Sequence, residues 1–282
     1  MNRHRFLLER SQQRQPALQR PIFVVFGTQR SGSTLVASRL NSHPRVVCHE
    51  EVLLPGVDSG PSLTDWMLAK RYPPWLRAVP SVRRAFLDSL VSSDPGIDIG
   101  AIGMKIMYDQ ISLWPKLSYV LPRAGKVCHD AGLLRWMENQ QVIIVHTLRR
   151  NHLKMIISHA LAARTGKFHS RNSVQAMTGS RISLPLRGLT MRLRRIEIAE
   201  EVARDAIRNL RSFEVWYEDY VGRERHSIEA RLCSAIGLRV PDSGLRSPLT
   251  KVTSDELMST ITNYSEVVRC LSGTRFERFL ND

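Results

Sequence analysis

The stretch PIFVVFGTQRSGSTLV, which spans residues 21–36, decides the expected fold. Residues 21–27 form a continuous apolar, β-branched and aromatic run, which is typical of a buried strand in a parallel sheet. A glycine-containing loop follows, and the sequence STLVASRLNSH after it has helical character. Strand, glycine loop and helix in this order form a unit that binds phosphate groups through backbone N–H groups at the helix N-terminus.

The loop departs from the usual phosphate-binding pattern at one position. It reads Gly27-x-x-x-x-Gly32-Ser33-Thr34, and Ser33 stands where enzymes that use nucleoside triphosphates have a lysine. That lysine, together with Mg²⁺, neutralises charge on the β and γ phosphates. Arg30 lies within the loop and can supply a cation from another direction. Such a loop suits an anion that needs less neutralisation than a triphosphate, for instance a phosphate esterified to a sulfate.

Strands and helices alternate along the rest of the chain. The apolar patterns predict strands at residues 102–108, 141–148 and 213–221. A helix is expected directly after the second of these strands, and the apolar face of residues 191–211 predicts a long amphipathic helix. This alternation predicts an α/β fold of the phosphate-loop (P-loop) type, with a mostly parallel central sheet flanked by helices.

Length and composition indicate one folded domain. The chain has 282 residues, of which 43% are hydrophobic and 24% charged, and this is enough to bury one large core. We expect a basic, flexible tail at residues 1–20 and a single domain over residues 21–282. No apolar run approaches the roughly 20 residues of a membrane span, and no secretory signal pattern is present, so we expect a cytoplasmic protein. The four cysteines are scattered, which favours reduced thiols over disulfides or a zinc site.

The charge of the chain indicates which partners it attracts. There are 41 Lys and Arg residues against 26 Asp and Glu residues, which gives a formal net charge of +15. Such a field draws in polyanions, whether nucleic acid, acidic lipid surfaces or an anionic small cofactor. Two basic segments, residues 1–20 and 181–195, would carry a peripheral membrane contact. No recognisable module interleaves basic and aromatic residues, so no specific nucleic-acid partner is expected.

Two motifs resemble those of a known family, the sulfotransferases that use 3′-phosphoadenosine 5′-phosphosulfate (PAPS). The first family motif reads approximately Pro-[Lys/Arg]-Ser-Gly-[Ser/Thr]-[Ser/Thr] after a buried strand. The second is an arginine followed eight residues later by a serine at a strand-to-helix junction, where it binds the 3′-phosphate of the nucleotide. The first motif is matched, with glutamine in place of proline, by Gln29, Arg30, Ser31, Gly32, Ser33 and Thr34. The second is matched by Arg150 and Ser158, and the resemblance implies that both sets bind PAPS.

Three further segments are similar to the same family. Residues 103–110, GMKIMYDQ, resemble a strand of bacterial members that brings a lysine to the site, here Lys105. The sequence VWYEDYV resembles the Tyr-Glu-Asp stretch whose tyrosine lies near the adenine, here Tyr217. Residues 249–280 resemble the C-terminal segment of bacterial carbohydrate and lipid sulfotransferases. The sequence has no obvious copy of the glycine-rich basic loop that covers the 3′-phosphate in the cytosolic animal enzymes, and Lys251 is the candidate substitute.

The resemblance implies a reaction in which PAPS gives its sulfuryl group to an acceptor hydroxyl and leaves as 3′-phosphoadenosine 5′-phosphate (PAP). This in-line displacement requires a base and cations, but no metal. We expect Arg30 and Lys105 to stabilise charge. Glu50 is the expected general base because bacterial relatives that act on sugars have a His-Glu pair at about this distance after the loop, and His49 and Glu51 are the alternatives. The acceptor is expected to be a sugar, a glycolipid or a small secondary metabolite, in a pocket shaped by residues 53–80 and 165–190.

Other interpretations stay open at this point. An ATP- or GTP-dependent kinase or NTPase with an atypical loop is disfavoured by the absent lysine and by the lack of a clear strand ending in a magnesium-binding aspartate. A basic nucleic-acid-binding protein would account for the charge. Single residues also have structural alternatives, because Glu50 could pair with an arginine, Lys105 could extend its ammonium to solvent, and Tyr217 could be a core aromatic. The sequence indicates neither the identity of the acceptor nor the oligomeric state.

Overall fold

A five-stranded parallel sheet forms the centre of the protein. The computed structural model describes residues 20–54, 60–93, 96, 98–111, 131–165, 181–249 and 256–281. The strands, in chain order, are β1 (Ile22–Gly27), β2 (Val46–His49), β3 (Ala101–Met107), β4 (Ile143–Leu148) and β5 (Ser212–Trp216). They lie in the order β2-β3-β1-β4-β5, and every neighbouring pair is parallel.

Helices follow the strands along the chain and cover both faces of the sheet. The α-helices are α1 (Ser33–Asn41), α2 (Leu63–Ala69), α3 (Pro80–Ser92), α4 (Tyr108–Ile111), α5 (Ala131–Asn139), α6 (His152–Thr165), α7 (Leu189–Ile207), α8 (Tyr217–Val221), α9 (Arg225–Ala235), α10 (Leu257–Thr260) and α11 (Tyr264–Leu271). Two 3-10 helices cover Pro74–Ala78 and Glu277–Leu280. The predicted α/β fold with a parallel central sheet flanked by helices is confirmed.

The alternation of side chains along β1 gives the sheet two apolar faces. Phe23 and Val25 pack with residues of α1 and α9 on one face. Val24 and Phe26 pack with residues of α3, α5 and α7 on the other face. All residues of β1 are therefore buried, as expected for a central strand covered on both sides. A third apolar cluster joins α6 to the start of α7 and to the C-terminal helices.

The β1–α1 loop, residues 28–32, lies at the point in the sheet where the strands that follow β1 in the chain are found on opposite sides of it. From β1 the chain crosses to β2 on one side, whereas β4 lies on the other side of β1. In open parallel sheets, ligands bind outside the carboxyl ends of the strands at such a point. The ends of β3 and β4 flank this loop, so residues that follow these two strands are positioned to contribute to a site.

Most of the predicted elements lie where the sequence indicates, with two differences in the sheet. Strands β1, β3 and β4 and the long helix α7 confirm their predictions within a few residues at either end. The predicted strand at residues 213–221 is correct only in its first half, because the chain turns into α8 at Tyr217. Strand β2 was not predicted, because a four-residue strand carries too little periodicity to identify.

The predicted irregular segments agree only in part. The sequence of residues 165–190 has weak periodicity and many Gly, Ser and Arg residues, which predicts a long loop, and residues 56–66 resemble a shorter one. In the shorter segment α2 begins at Leu63, where the Ser62 side chain accepts a hydrogen bond from the Asp65 N–H at 3.1 Å and caps the helix. In the longer segment residues 166–180 lie outside the described residues, and α7 already begins at Leu189. The basic tail, up to residue 19, and Lys251 also lie outside the described residues.

The structure also bears on the predictions about membrane spans and cysteines. Among the helices that the structure describes, none is long and apolar enough to cross a bilayer. Cys48, Cys233 and Cys270, the cysteines among the described residues, are free thiols.

Candidate functional site

The β1–α1 loop is held against the end of β4 by close packing and hydroxyl groups. Gly27 approaches β4 so closely that a Cβ there would lie 2.2 Å from the Thr147 Oγ1. The Ser31 hydroxyl donates to the Thr28 carbonyl at 2.8 Å and shares a 2.9 Å hydrogen bond with the Thr147 hydroxyl. The backbone of the loop is therefore fixed in position before any ligand arrives.

Two residues of this loop have left-handed backbone conformations. Arg30 has φ of 68° and Gly32 has φ of 96°. At Gly32 a glycine is required twice, since a Cβ would also lie 2.7 Å from the Cδ2 of Tyr217. Gly32 is the N-cap residue of α1 and has no side chain with which to cap the helix. The first turn of α1 thus presents backbone N–H groups at the loop, as an anion site requires.

Two arginines meet beside the loop on the β4 side. The Arg30 Nε donates to the Ser158 hydroxyl at 2.8 Å. Arg149, only 5% exposed, donates from Nη1 to the Arg30 carbonyl at 3.4 Å, and its guanidinium lies 4.6 Å from the centre of the Tyr217 ring. Burial, and then the positive charge of Arg149, lower the pKa of Arg30. An anion between these guanidinium groups would relieve their repulsion and replace lost hydration.

Arg150 pairs with Asp219 of α8 and not with the loop residues. Its two terminal nitrogens donate to the two carboxylate oxygens of Asp219 at 2.6 and 2.7 Å, and its guanidinium lies 5.1 Å from the Trp216 ring. The hydrogen bond to Asp219 raises the pKa of Arg150. The predicted partner of Arg150, Ser158, is instead bonded to Arg30. The residue that the structure brings to Arg30 and Tyr217 is Arg149, which is not part of either sequence motif.

On the β3 side, a fully buried lysine connects the loop to a carboxylate. Lys105 is 0% exposed, and its ammonium donates to the Thr34 hydroxyl at 2.9 Å. The same ammonium forms a salt bridge with the Glu51 Oε1 at 2.8 Å. The alternative in which Lys105 extends its ammonium to solvent is wrong. Ser33, at the start of α1, lies next to this group, and its hydroxyl contacts the Met107 sulfur at 3.9 Å.

The remaining predicted residues that the structure describes are Glu50 and His49, at the end of β2, and Gln29, in the β1–α1 loop. Glu50 lines a cleft of about 490 Å³ between α1, the end of β2 and residues 246–249. His49 is half-buried, and burial lowers its pKa. Burial raises the pKa of Cys48, which also lines the cleft, to about 12, so this thiol is not an accessible nucleophile at neutral pH. Gln29 is exposed in the loop. The site residues are therefore divided between the β3 and β4 sides of the loop.

A buried polar group supports β4 from the other face of the sheet. The Tyr108 hydroxyl is hydrogen-bonded to the His146 Nε2, and the His146 Nδ1 lies 3.9 Å from Glu214. Glu214 is in turn bonded to Arg204 of α7 at 2.6 Å. Burial lowers the pKa of His146 to about 4, so the ring is neutral at pH 7 and Tyr108 donates to it. Burial also raises the pKa of Tyr108.

No protein-family model matches the chain, and no curated protein matches it. Within the described residues, no group of three or more His, Cys, Asp or Glu side chains could hold a metal ion.

Proposed function

We propose that the protein is an O-sulfotransferase that moves the sulfuryl group of PAPS to an acceptor hydroxyl. The observation that carries the proposal is the loop without a lysine, which has two guanidinium groups on its β4 side and the Lys105–Glu51 pair on its β3 side. The first group suits binding of a nucleotide with separate phosphate groups. The second suits a reaction in which one hydroxyl loses a proton while negative charge develops nearby.

The nucleotide would be held on the β4 side. The first-turn N–H groups of α1 suit the 5′-phosphosulfate, since the macrodipole and orphan donors favour an anion there. Arg30, Arg149 and Ser158 offer charge-assisted donors for the phosphates, and Tyr217 offers an aromatic face beside them. Arg149 is buried beside the loop and its Nε lies 4.0 Å from Glu218, whereas Arg150 donates to Asp219 at 2.6 and 2.7 Å. We therefore assign the larger share of phosphate binding to Arg149.

In the proposed reaction the acceptor oxygen attacks the sulfur as the bond between sulfur and the phosphate oxygen breaks. The acceptor proton passes to a carboxylate, and PAP leaves with the bonding electron pair. Glu51 is the favoured base, because Lys105 connects it to Thr34 in the first turn of α1. Glu50, which the sequence analysis put first, faces the cleft beside α1. Lys105 can stabilise the charge that develops on the leaving phosphate, and no metal is needed in this scheme.

The first test is calorimetric titration of the full chain with PAP, ATP and adenosine 5′-phosphate, each with and without Mg²⁺. Tight binding of PAP that does not depend on Mg²⁺, with weaker binding of adenosine 5′-phosphate, is the expected result. Preference for ATP in the presence of Mg²⁺ would contradict the proposal and support a kinase or NTPase. Binding of nucleic acid with steep salt dependence, and of none of the nucleotides, would support the third class of function.

A further inference from the structure

An exposed patch of apolar and basic side chains lies at the end of α2 and on the 3-10 helix that follows it. Its members, called here the α2 patch, are Leu68, Lys70, Arg71, Tyr72, Trp75 and Arg77. Trp75 is 71% exposed, Leu68 66% and Tyr72 40%. Scattered exposed leucines need no explanation, but a large indole exposed beside a tyrosine and a leucine marks an interaction surface.

The local backbone structure keeps the side chains of this patch exposed to solvent. Helix α2 buries Leu63 and Met67 in the core, so that Leu68, one position further around the helix, faces solvent. The helix ends in a tight turn, in which Arg71 has φ of 57° and the Tyr72 N–H donates to the Met67 carbonyl at 2.9 Å. The Tyr72 ring packs edge-on against Trp66, with 5.7 Å between the ring centres. The backbone that carries the patch therefore has a defined conformation.

The charged members of the patch have one sign. Lys70, Arg71 and Arg77 are exposed and basic. Asp65, the exposed carboxylate one turn earlier on α2, accepts a hydrogen bond from the Ser62 hydroxyl at the start of the helix. Exposed Trp and Tyr side chains flanked by Lys and Arg are typical of surfaces that lie in the membrane interface, where the rings enter the headgroup region and the cations contact anionic lipids. Each cation near such a surface contributes about 1 kcal/mol.

Other occupants fit the patch less well. A second copy of this chain would bring Lys70, Arg71 and Arg77 toward the same cations in a two-fold contact, with no acidic residue among the members of the patch to compensate. A single-stranded nucleic acid would use the rings and cations, but the aliphatic Leu68 provides no stacking surface for a base. We propose that the α2 patch docks the protein on bilayers that contain anionic lipids.

The patch is close to the candidate site. The Leu63 N–H donates to the carbonyl of Val52, the residue after Glu51, at 2.9 Å. Leu68 lies only about 8 Å further along the helix axis, at 1.5 Å per residue. If the chain is the proposed sulfotransferase, docking through this surface brings the Lys105–Glu51 pair toward the bilayer. The acceptor would then be a hydroxyl carried by a lipid headgroup, and this last step rests on the proposed function.

The test is cosedimentation of the full chain with vesicles of phosphatidylcholine alone, or of equal parts phosphatidylcholine and phosphatidylglycerol. Binding to the mixed vesicles with weak binding to phosphatidylcholine is expected. The double variant Leu68→Ser/Trp75→Ser should weaken binding by about 30-fold or more, since each apolar side chain contributes more than about 1 kcal/mol when buried. Lys70→Gln/Arg77→Gln should weaken it by about 30-fold, at about 1 kcal/mol per charge. Met258→Ser removes a side chain of α10 that is 59% exposed, and it should bind like the wild type.

Three results would overturn the docking proposal. The first is equal vesicle binding by the wild type and both double variants. The second is concentration-dependent self-association without lipid that is lost in Leu68→Ser/Trp75→Ser, which would assign the patch to a contact between copies. The third is a marked fall in the melting temperature of that variant, which would place the patch inside the fold. PAP calorimetry separates the two proposals, because vesicle binding without PAP binding would remove only the inference about the acceptor.

Discussion

The two sides of the β1–α1 loop differ in the kind of cation that they contain. On the β4 side, Arg30 and Arg149 lie beside hydroxyl and aromatic groups. On the β3 side, Lys105 is paired with Glu51. A guanidinium keeps its proton at any physiological pH and offers fixed, forked donors, which suits binding of phosphate groups. A carboxylate beside an ammonium can accept a proton and stabilise developing charge. In the proposed reaction, the β4 side of the loop would therefore bind the nucleotide and the β3 side would perform the chemistry.

The largest effect expected from this comparison concerns the β3 side. Glu51→Gln keeps the size of the side chain but removes the base, so turnover of PAPS should fall by about 10²- to 10⁴-fold. PAP affinity should change less than turnover, because most of the side chains proposed to bind the phosphates, Arg30, Arg149 and Ser158, lie on the β4 side. Rates of PAP formation and calorimetric titration would check the two parts of this prediction.

Glu50→Gln is the matched comparison, since the two carboxylates are adjacent in sequence and face different surroundings. A loss of turnover confined to Glu50→Gln would place the base in the cleft beside α1. That result would restore the first expectation from the sequence and break the assignment of chemistry to the Lys105–Glu51 pair.

The next largest effect concerns His146 of β4 and the pH dependence of the free energy of unfolding. The pKa of His146 is about 4 in the folded chain and 6.5 as a free side chain, so the unfolded state binds more protons between these values. Stability should be complete above pH 6.5 and fall by about 3 kcal/mol as the pH decreases toward 4. His146→Gln keeps a hydrogen-bonding side chain and removes the titration. Denaturant unfolding of both proteins across this range would show the difference between them shrinking at low pH, and parallel curves would contradict the prediction.

A smaller effect separates the two neighbouring arginines of the β4 side. Arg149→Ala should weaken PAP binding by about 30-fold, or about 2 kcal/mol, the range of a hydrogen bond to a charged group. Arg150→Ala should weaken it by only a few-fold, because this exposed side chain is already paired with Asp219. Calorimetry with PAP and with adenosine 5′-phosphate would show which phosphate each arginine serves. A larger loss for Arg150→Ala would mean that the Asp219 pair breaks when the nucleotide binds.

The smallest effect concerns that pair directly. Asp219→Asn should change the melting temperature little, because exposed ion pairs contribute about 0 to 1 kcal/mol. It should also strengthen PAP binding by about two- to threefold, since Arg150 no longer has to leave a carboxylate. Weaker PAP binding in this variant would show that Asp219 positions Arg150 for the ligand and does not compete with it.

The sequence predicted the central sheet because its strands are long and apolar. β1, β3 and β4 are buried on both faces, and short apolar runs such as IFVVF and IIV show no helical periodicity. β2 was missed because it has four residues and follows a turn. The helix α8 was missed because Tyr217 to Val221 continue an aromatic strand pattern, and only the tertiary position of Tyr217 against Gly32 separates the two elements.

The candidate site was predictable as a set of segments, but not as pairs of side chains. The motif spacing selected Arg150 and Ser158, whereas the structure pairs Ser158 with Arg30 and turns Arg150 toward Asp219. A signal for Arg149 was present, since it also follows directly after β4, and alternate residues there point to opposite sides. The choice between Glu50 and Glu51 depends on the salt bridge between Lys105 and Glu51. These residues are more than fifty positions apart, so the sequence pattern does not reveal their contact.

The order of the strands has a consequence for the synthesis of this chain. Among the strands that the structure describes, β1 leaves the ribosome before the others, but Ile22 pairs with Ile102 and Phe23 with Ile143, about 80 and about 120 positions later. Contacts of such long range make folding slow. Until β3 and β4 have been made, the run IFVVF remains an unpaired apolar strand, the kind of segment that aggregates. A nascent chain stalled before residue 143 should therefore depend on chaperones. The segment most prone to aggregate during synthesis is thus β1, which later forms the centre of the sheet.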